Sequence, residues 1–136
     1  MKFSELEARG SDGFGSGHFG ASRGGRSHSG FDLLCDAGVP LCSPVAGTVT
    51  KVGYPYGDDL SYRYVQVSAG GYDFRTFYIE PSVAVGDKVD KCSVIGTGQS
   101  LGKRYPGIPN HIHFEIKKAG KYVDPTPSLI AMGIEV

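Results

Sequence analysis

The sequence lacks several features that would assign it to a large class of proteins. No apolar run approaches the ~20 residues that a membrane-spanning helix needs. The N-terminal stretch Met1–Glu7 lacks the apolar core of a secretory signal. Acidic and basic residues number 14 each, so the net charge is zero. Nothing therefore indicates a membrane span, or binding to nucleic acid or to an anionic membrane surface.

Cysteine is also scarce. The three cysteines, Cys35, Cys42 and Cys92, are an odd number and contain no Cys-x-x-Cys pair, so a disulfide framework is not predicted. Cys35 and Cys42 could pair with each other, but we favour buried free thiols.

Glycine, in contrast, is abundant. The chain of 136 residues contains 21 glycines and 8 prolines, and it is long enough for one domain with a hydrophobic core. This mixture favours short strands joined by tight turns over a helical bundle. The sequence therefore predicts an all-β domain with small helical ends.

Turn residues and the alternation of apolar and polar side chains predict the order of helices and strands along the chain. Ser4-x-x-Glu7 fits a capping box, which predicts a short helix over residues 4–9 that ends at Gly10. We expect residues 1–12 to form this helix and a linker, 13–128 the domain, and 129–136 the end of a last helix and a tail. Strands are predicted over 31–34, 48–52, 62–67, 72–79, 92–96 and 111–117.

Two histidines lie in the last of these strands, in the run Asn110-His111-Ile112-His113-Phe114-Glu115. Side chains alternate between the faces of a strand, so His111 and His113 point the same way. Such a pair alone is typical of an ordinary strand surface. It is also a plausible start to a metal or catalytic site.

A second pair of residues supports the metal site. His28 and Asp32 are four positions apart in an extended segment, where they share a face, and Gly30 leaves that face unobstructed. Two imidazoles and one carboxylate form the three-ligand set of a hydrolytic zinc site, in which a fourth position stays open.

The motifs, in order, resemble those of the lysostaphin-type (LytM-like) zinc endopeptidases. The resemblance extends from about Phe19 to Pro127. It is carried by Phe19-Gly20-x-x-Arg23, Arg26-x-His28-x-Gly30-x-Asp32, Pro44-x-x-Gly47-x-Val49, Val85-Gly86-Asp87-Lys88-Val89, Ile95-Gly96, His111-Ile112-His113-Phe114-Glu115 and Asp124-Pro125.

This resemblance implies a compact antiparallel β-sandwich or barrel-like domain with a groove and a Zn²⁺ ion at its floor. Zinc would be bound by His28, Asp32 and His113, and His111 would be catalytic: it would orient or deprotonate the attacking water, or stabilise the tetrahedral intermediate. The implied substrate is a peptide of bacterial peptidoglycan.

Aromatic and basic residues are candidates for substrate binding. Tyr78 and Tyr105 are expected to contact the peptide, and Tyr54, Tyr56, Tyr62 and Tyr64 are further candidates for the groove walls. Arg23, together with Arg26, could hold a substrate carboxylate, or it could simply pair with a neighbouring carboxylate or face water. His18 is expected to be a solvated loop histidine.

One position departs from the family pattern. Relatives carry a second catalytic histidine in a Tyr-x-His-Leu segment, and the matching segment here, Phe77-Tyr78-Ile79-Glu80-Pro81, has Glu80 at that place. Because Tyr78 and Glu80 are two positions apart, we expect Glu80 to face the groove and to serve as an alternative general base. An ionised carboxylate cannot donate a hydrogen bond to an oxyanion.

Other segments resemble a secreted leukocyte chemotaxin that has this fold and its zinc and acts as a signalling ligand. They are Phe77-Tyr78-Ile79-x-Pro81, Tyr105-Pro106-Gly107-Ile108 and Leu33-Leu34-Cys35-x-Ala37-Gly38. A zinc-binding module that binds a peptide, glycan or protein partner without cleaving it is therefore the alternative hypothesis.

The sequence also suggests where the protein acts. A chain without a signal peptide that acts on peptidoglycan would be made in the cytoplasm and released to the cell envelope or periplasm, or carried in a virion. We therefore expect a phage-encoded or phage-like lytic protein, with other virion proteins as possible partners.

Overall fold

The computed structural model describes residues 1–13, 15–22 and 27–136. Within these residues it contains a short 3₁₀ helix, thirteen strands and one α-helix. The 3₁₀ helix is Phe3–Glu5, and the strands are β1 (Glu7–Ala8), β2 (Ser11–Asp12), β3 (Gly15–Ser16), β4 (Phe31–Leu34), β5 (Pro40–Cys42), β6 (Gly47–Gly53), β7 (Tyr64–Ala69), β8 (Tyr72–Phe77), β9 (Ile79–Pro81), β10 (Lys88–Val89), β11 (Val94–Gly98), β12 (His111–Lys118) and β13 (Lys121–Val123); helix α1 is Thr126–Ala131.

The main sheet has eight strands in the order β1-β4-β12-β8-β7-β6-β10, with β13 paired to β12. A second sheet has the order β5-β11-β9, and β2 and β3 form a separate hairpin. The named strand pairs are antiparallel, and the sheets stay open and form no closed barrel in the described part of the chain. The predicted all-β, antiparallel class is confirmed.

The two faces of the main sheet differ in chemistry because side chains alternate along each strand. One face is the hydrophobic core, where β4 and β12 contribute fully or almost fully buried side chains: Phe31, Leu33, Ile112, Phe114 and Ile116. The other face is the floor of a groove, where the same strands present Asp32, His111, His113 and Glu115. Burial of the apolar face thus fixes which residues point into the groove.

The N-terminal stretch packs against the core, and the prediction of a helix over residues 4–9 is wrong. Helical structure covers only Phe3–Glu5, and Glu7–Ala8 pairs with β4 as an edge strand. Phe3 and Leu6 are buried in the core, and the Phe3 ring lies 4.8 Å from that of Phe114. Burial of these two side chains outweighs the local helix signal.

The predicted single strand 72–79 is interrupted at Tyr78. The backbone of Tyr78 has φ = +71°, in the left-handed region that a non-glycine residue rarely adopts. Its amide donates to the carbonyl of Arg63 (2.8 Å), and the chain passes from the main sheet into the second sheet. The strict alternation of side chains therefore ends at this residue.

The cysteines agree with the prediction of free thiols, since none of the three forms a disulfide. Cys35 and Cys42 are buried as expected, whereas Cys92 is exposed. Among the described residues, no helix is both long enough and apolar enough to cross a membrane.

Candidate metal centre

Three side chains converge at the floor of the groove. His28 Nε2 lies 2.9 Å from His113 Nδ1, and Asp32 Oδ1 lies 3.1 Å from the first of these atoms and 3.0 Å from the second. Asp32 and His113 are direct partners in the β4–β12 pair, and His28 lies in the segment that leads into β4. The structure thus brings together the three residues predicted to be zinc ligands.

The outer nitrogen of each imidazole has its own acceptor. His28 Nδ1–H donates to the carbonyl of His18 (3.0 Å), and His113 Nε2–H donates to Glu115 Oε2 (2.9 Å). With both rings neutral, His28 Nε2 and His113 Nδ1 would direct lone pairs at each other and at a carboxylate oxygen. A positive charge, either a proton on His113 or a metal ion between the three atoms, satisfies these acceptors.

The donor set suits zinc. Tetrahedral Zn²⁺ with bonds of about 2.0–2.1 Å to nitrogen and oxygen holds its ligand atoms about 3.3 Å apart. The three separations of 2.9, 3.1 and 3.0 Å are close to that value. Slight outward movements of the side chains would accommodate the ion, so the residues present fit zinc.

The pKa shifts reflect the same electrostatics. Burial alone would raise the pKa of Asp32, but hydrogen bonds with His113 and His28 hold it well below its ordinary value. Burial alone would lower the pKa of His113, but its hydrogen bonds with Asp32 and Glu115 raise it to about 9. Both shifts show that the cluster stabilises positive charge.

Glu115 accepts the hydrogen bond from the outer ring nitrogen of His113. Its carboxylate is 4% exposed and accepts hydrogen bonds from Ser29 Oγ (2.8 Å) and Arg75 Nη1 (3.2 Å) as well as from His113. Burial acts to raise the pKa of Glu115, yet the hydrogen bond with His113 lowers it overall. The ionised carboxylate fixes the orientation of the His113 ring.

His111 lies beside the three converging side chains but is oriented differently. Its Nδ1–H donates to the carbonyl of Pro109 (2.8 Å), and its Nε2 lies 3.6 Å from Asp32 Oδ2. Burial lowers the pKa of His111 below its ordinary value, which favours the neutral ring. A neutral imidazole whose Nδ1–H is donated in this way carries its lone pair on Nε2 and can accept a proton there.

The groove has a volume of about 780 Å³ and aromatic walls. Its lining includes Tyr54, Tyr56, Tyr64, Phe77, Tyr78 and Tyr105, whereas Tyr62, a further candidate for the walls, is buried against Tyr56 and Tyr78. The volume lies in the range of small-molecule and peptide sites.

Three of these tyrosines join different segments across one end of the groove. The Tyr56 hydroxyl lies 2.7 Å from the hydroxyls of both Tyr78 and Tyr105. The ring of Tyr78 meets that of His111 edge-on, with centroids 5.8 Å apart, and burial raises the pKa of Tyr78 to about 12. Tyr78 therefore stays protonated as a hydrogen-bond donor next to the candidate catalytic histidine.

Glu80 does not join this group, which corrects the prediction that it faces the groove. Its side chain is exposed, lies outside the groove lining, and accepts a long hydrogen bond from Gln99 Nε2 (3.5 Å). The prediction assumed that Tyr78 and Glu80 share a strand face. The left-handed backbone at Tyr78 breaks that alternation and turns Glu80 into the second sheet.

Arg23, Arg26 and His18 are the other residues that the sequence suggested for the site. Arg23 and Arg26 lie outside the described residues. His18 has an exposed side chain, as expected for a loop histidine, but its carbonyl accepts the hydrogen bond from His28.

Sequence reasoning assigned no role to Glu115 or Arg9. Glu115 could have been found because it shares the strand face of His111 and His113. Arg9, which donates to Asp32 Oδ2 (2.8 Å), carries no such local signal.

Comparison with known families adds independent evidence. The profile of peptidase family M23 matches residues 26–125, which include the three candidate ligands and His111. The curated bovine (Bos taurus) protein leukocyte cell-derived chemotaxin-2 is 36% identical over 113 residues, covering 82% of this chain and 74% of its own.

Solved structures show the same fold. Lysostaphin, in a solution structure, superposes with a TM-score of 0.71 at 22% identity, over 97% of this chain and 53% of its own. LytU superposes with a TM-score of 0.68 at 24% identity, over 82% of this chain and 80% of its own. At these identities the likeness concerns the fold alone.

Proposed function

Because the chain belongs to peptidase family M23, we propose that it is a zinc-dependent endopeptidase that hydrolyses peptide bonds of bacterial peptidoglycan. One observation carries this proposal. The ligand atoms of His28, Asp32 and His113 converge on the floor of an open groove, and His111, which lines the same groove, places its Nε2 3.6 Å from the second carboxylate oxygen of Asp32. Zinc held by these three residues would supply a Lewis acid that activates water and polarises the scissile carbonyl.

His111 would carry out the proton transfers. Its Nε2 accepts a proton from the attacking water as the new carbon–oxygen bond forms, and it returns that proton to the leaving amine nitrogen as the carbon–nitrogen bond breaks. The hydrogen bond from Nδ1–H to the Pro109 carbonyl keeps Nε2 available in the neutral ring and supports the imidazolium formed in between.

Tyr78 would donate the hydrogen bond to the oxyanion that an ionised Glu80 cannot donate. Its protonated hydroxyl can donate a hydrogen bond to a substrate or oxyanion oxygen, whereas an ionised carboxylate cannot. Tyr105 and the other aromatic walls would pack along the peptide, because a rigid ring with a polar tip offers both apolar contact and hydrogen bonding.

The test is digestion of purified peptidoglycan, with release of new amino termini as the readout. The wild-type protein should release them, and His111→Ala should lower the rate by about 10²–10⁴-fold, the usual contribution of general acid–base catalysis, while retaining zinc. Glu80→Gln should cleave at the wild-type rate, because Glu80 lies outside the groove. A loss of activity in Glu80→Gln would restore Glu80 as a catalytic base.

A second candidate function rests on two specific observations. The chain is 36% identical to a protein named as a chemotaxin, and it carries Glu80 in place of the family's second histidine. A zinc-stabilised module that binds its partner without cleavage would show zinc in elemental analysis, saturable binding to peptidoglycan fragments, and no new amino termini at any pH. That combination would contradict the peptidase proposal.

We also propose where the protein works and which proteins accompany it. An enzyme with this substrate works at the cell envelope, and carriage in a phage virion, with other virion proteins as partners, would deliver it there. Detection of the protein in purified phage particles by mass spectrometry would test the virion placement.

A further inference from the structure

The N-terminal segment contacts the candidate metal centre directly. Strand β1 pairs with β4 in the register Glu7↔Leu34 and Ala8↔Leu33, which places Arg9 beside Asp32. The amide of Arg9 donates to the carbonyl of Asp32 (3.0 Å). After the β2–β3 hairpin the chain returns, and Gly17 accepts a hydrogen bond from the amide of Asp32 (2.8 Å). The backbone of Asp32 is therefore held from both sides of the hairpin.

The close approach at this point favours glycine. A Cβ atom at Gly17 would lie 3.0 Å from the Cβ of Asp32 and 3.1 Å from that of Arg9. The hairpin is thus packed tightly against the strand that carries a candidate ligand.

The guanidinium of Arg9 makes the decisive contacts. Its side chain is only 3% exposed, and Nη1 donates to Asp32 Oδ2 (2.8 Å). The Nε and Nη2 atoms donate to the two carboxylate oxygens of Asp12 (2.8 and 2.9 Å). Arg9 is therefore fixed by one carboxylate while it binds one oxygen of another.

We propose that Arg9 is a positioning residue of the metal centre, which holds Asp32 Oδ2 so that Oδ1 alone is presented to the metal. A carboxylate can bind a cation through one oxygen or both. With Oδ2 held by Arg9, Asp32 is restricted to one-point coordination.

The inference extends the site beyond the region shared with the family. The family profile begins at residue 26, whereas Arg9, Asp12 and Gly17 precede it. The inference rests on the metal site of the proposed function, but it does not require that the protein cleave peptidoglycan.

The test measures zinc affinity by competition with a chromophoric chelator, together with the visible absorption spectrum of the Co²⁺-substituted protein. Arg9→Gln should weaken zinc binding by about 10–100-fold, the usual effect of losing a partner of a metal ligand. Its Co²⁺ spectrum should shift toward that of a higher coordination number, because Asp32 Oδ2 loses the hydrogen bond from Arg9. Arg9→Lys, which retains the charge but cannot bridge the two carboxylates in the same way, should lose less affinity than Arg9→Gln.

The control is Leu129→Ala, which removes a fully buried side chain from helix α1. It should lower stability but leave zinc affinity and the Co²⁺ spectrum unchanged at temperatures where the protein is folded. Wild-type affinity and an unchanged spectrum in a folded Arg9→Gln variant would overturn the inference. Failure of the wild type to cleave peptidoglycan while it binds zinc would contradict only the proposed function.

Discussion

At the scale of single residues, the candidate centre depends on partners behind the ligands as much as on the ligands. His28 donates to a backbone carbonyl, His113 to Glu115, and Asp32 accepts from Arg9. Each of these hydrogen bonds fixes the orientation of one donor atom. Preorganisation of this kind reduces the entropy that metal binding would otherwise cost.

Glu115 offers the sharpest test at this scale. Glu115→Leu leaves the Nε2–H group of His113 without its acceptor, so zinc affinity should fall by about 10–100-fold. Glu115→Gln keeps an acceptor but loses the charge, and its loss should be smaller. Chelator competition measures both, with the exposed Glu135→Gln as the matched control. Equal affinities in all four proteins would show that Glu115 does not orient His113.

At the scale of elements, strands β4 and β12 position the site. Gly30, just before β4, allows the two strands to lie close together. A Cβ atom at Gly30 would lie 2.4 Å from the carbonyl oxygen of Phe114 and 2.8 Å from two atoms of the His113 ring. Those neighbours are a strand backbone and a candidate ligand, so neither can move without disturbing the centre.

Gly30→Ala should therefore destabilise the protein by about 2–4 kcal/mol, the upper range for overpacking a rigid site. Urea unfolding followed by circular dichroism gives the free energy of unfolding. Gly57→Ala is the matched control, because nothing lies within 4 Å of its added Cβ, and it should change stability by less than about 0.5 kcal/mol. A Gly30→Ala protein as stable as this control would show that the β4–β12 contact is looser than the structure indicates.

The junction between β8 and β9 shows the limit of reasoning from an element's pattern. The alternation of residues 72–79 predicts one strand, with Glu80 on the same face as Tyr78. The structure ends β8 at Phe77 and begins β9 at Ile79, in a different sheet. Period-two alternation holds only while a chain stays in one sheet, and nothing local in this segment indicates the change.

At the scale of the whole molecule, the metal should contribute to the stability of the fold, because its candidate ligands come from two separate parts of the chain. A ligand present at about 1,000 times its Kd stabilises the folded state by about 4 kcal/mol. Removal of zinc by a chelator should therefore lower the Tm by on the order of 10 °C for a domain of this size.

Calorimetry of the zinc-loaded and chelator-treated protein measures this difference. His113→Ala should show a small or no response to either zinc or chelator, because one of three ligands is missing. An unchanged Tm on chelation, together with no metal in elemental analysis, would contradict the zinc site.

The sequence by itself determined the class of fold, and the resemblance of its motifs to a known family implied the members of the central cluster. Alternating β-formers between glycine-rich turns favour antiparallel strands, and the spacing of His111 to His113 places that pair on one strand face. These features depend on local geometry, which a sequence encodes directly.

Only the tertiary structure decided what surrounds that cluster. It brought Arg9 to Asp32, joined the hydroxyls of Tyr56, Tyr78 and Tyr105 at the groove, and placed Glu80 outside it. Most of these outcomes depend on contacts between residues far apart in the chain or on a change of sheet at one strained residue. Their energies come from burial and pairing in three dimensions, which no local spacing specifies.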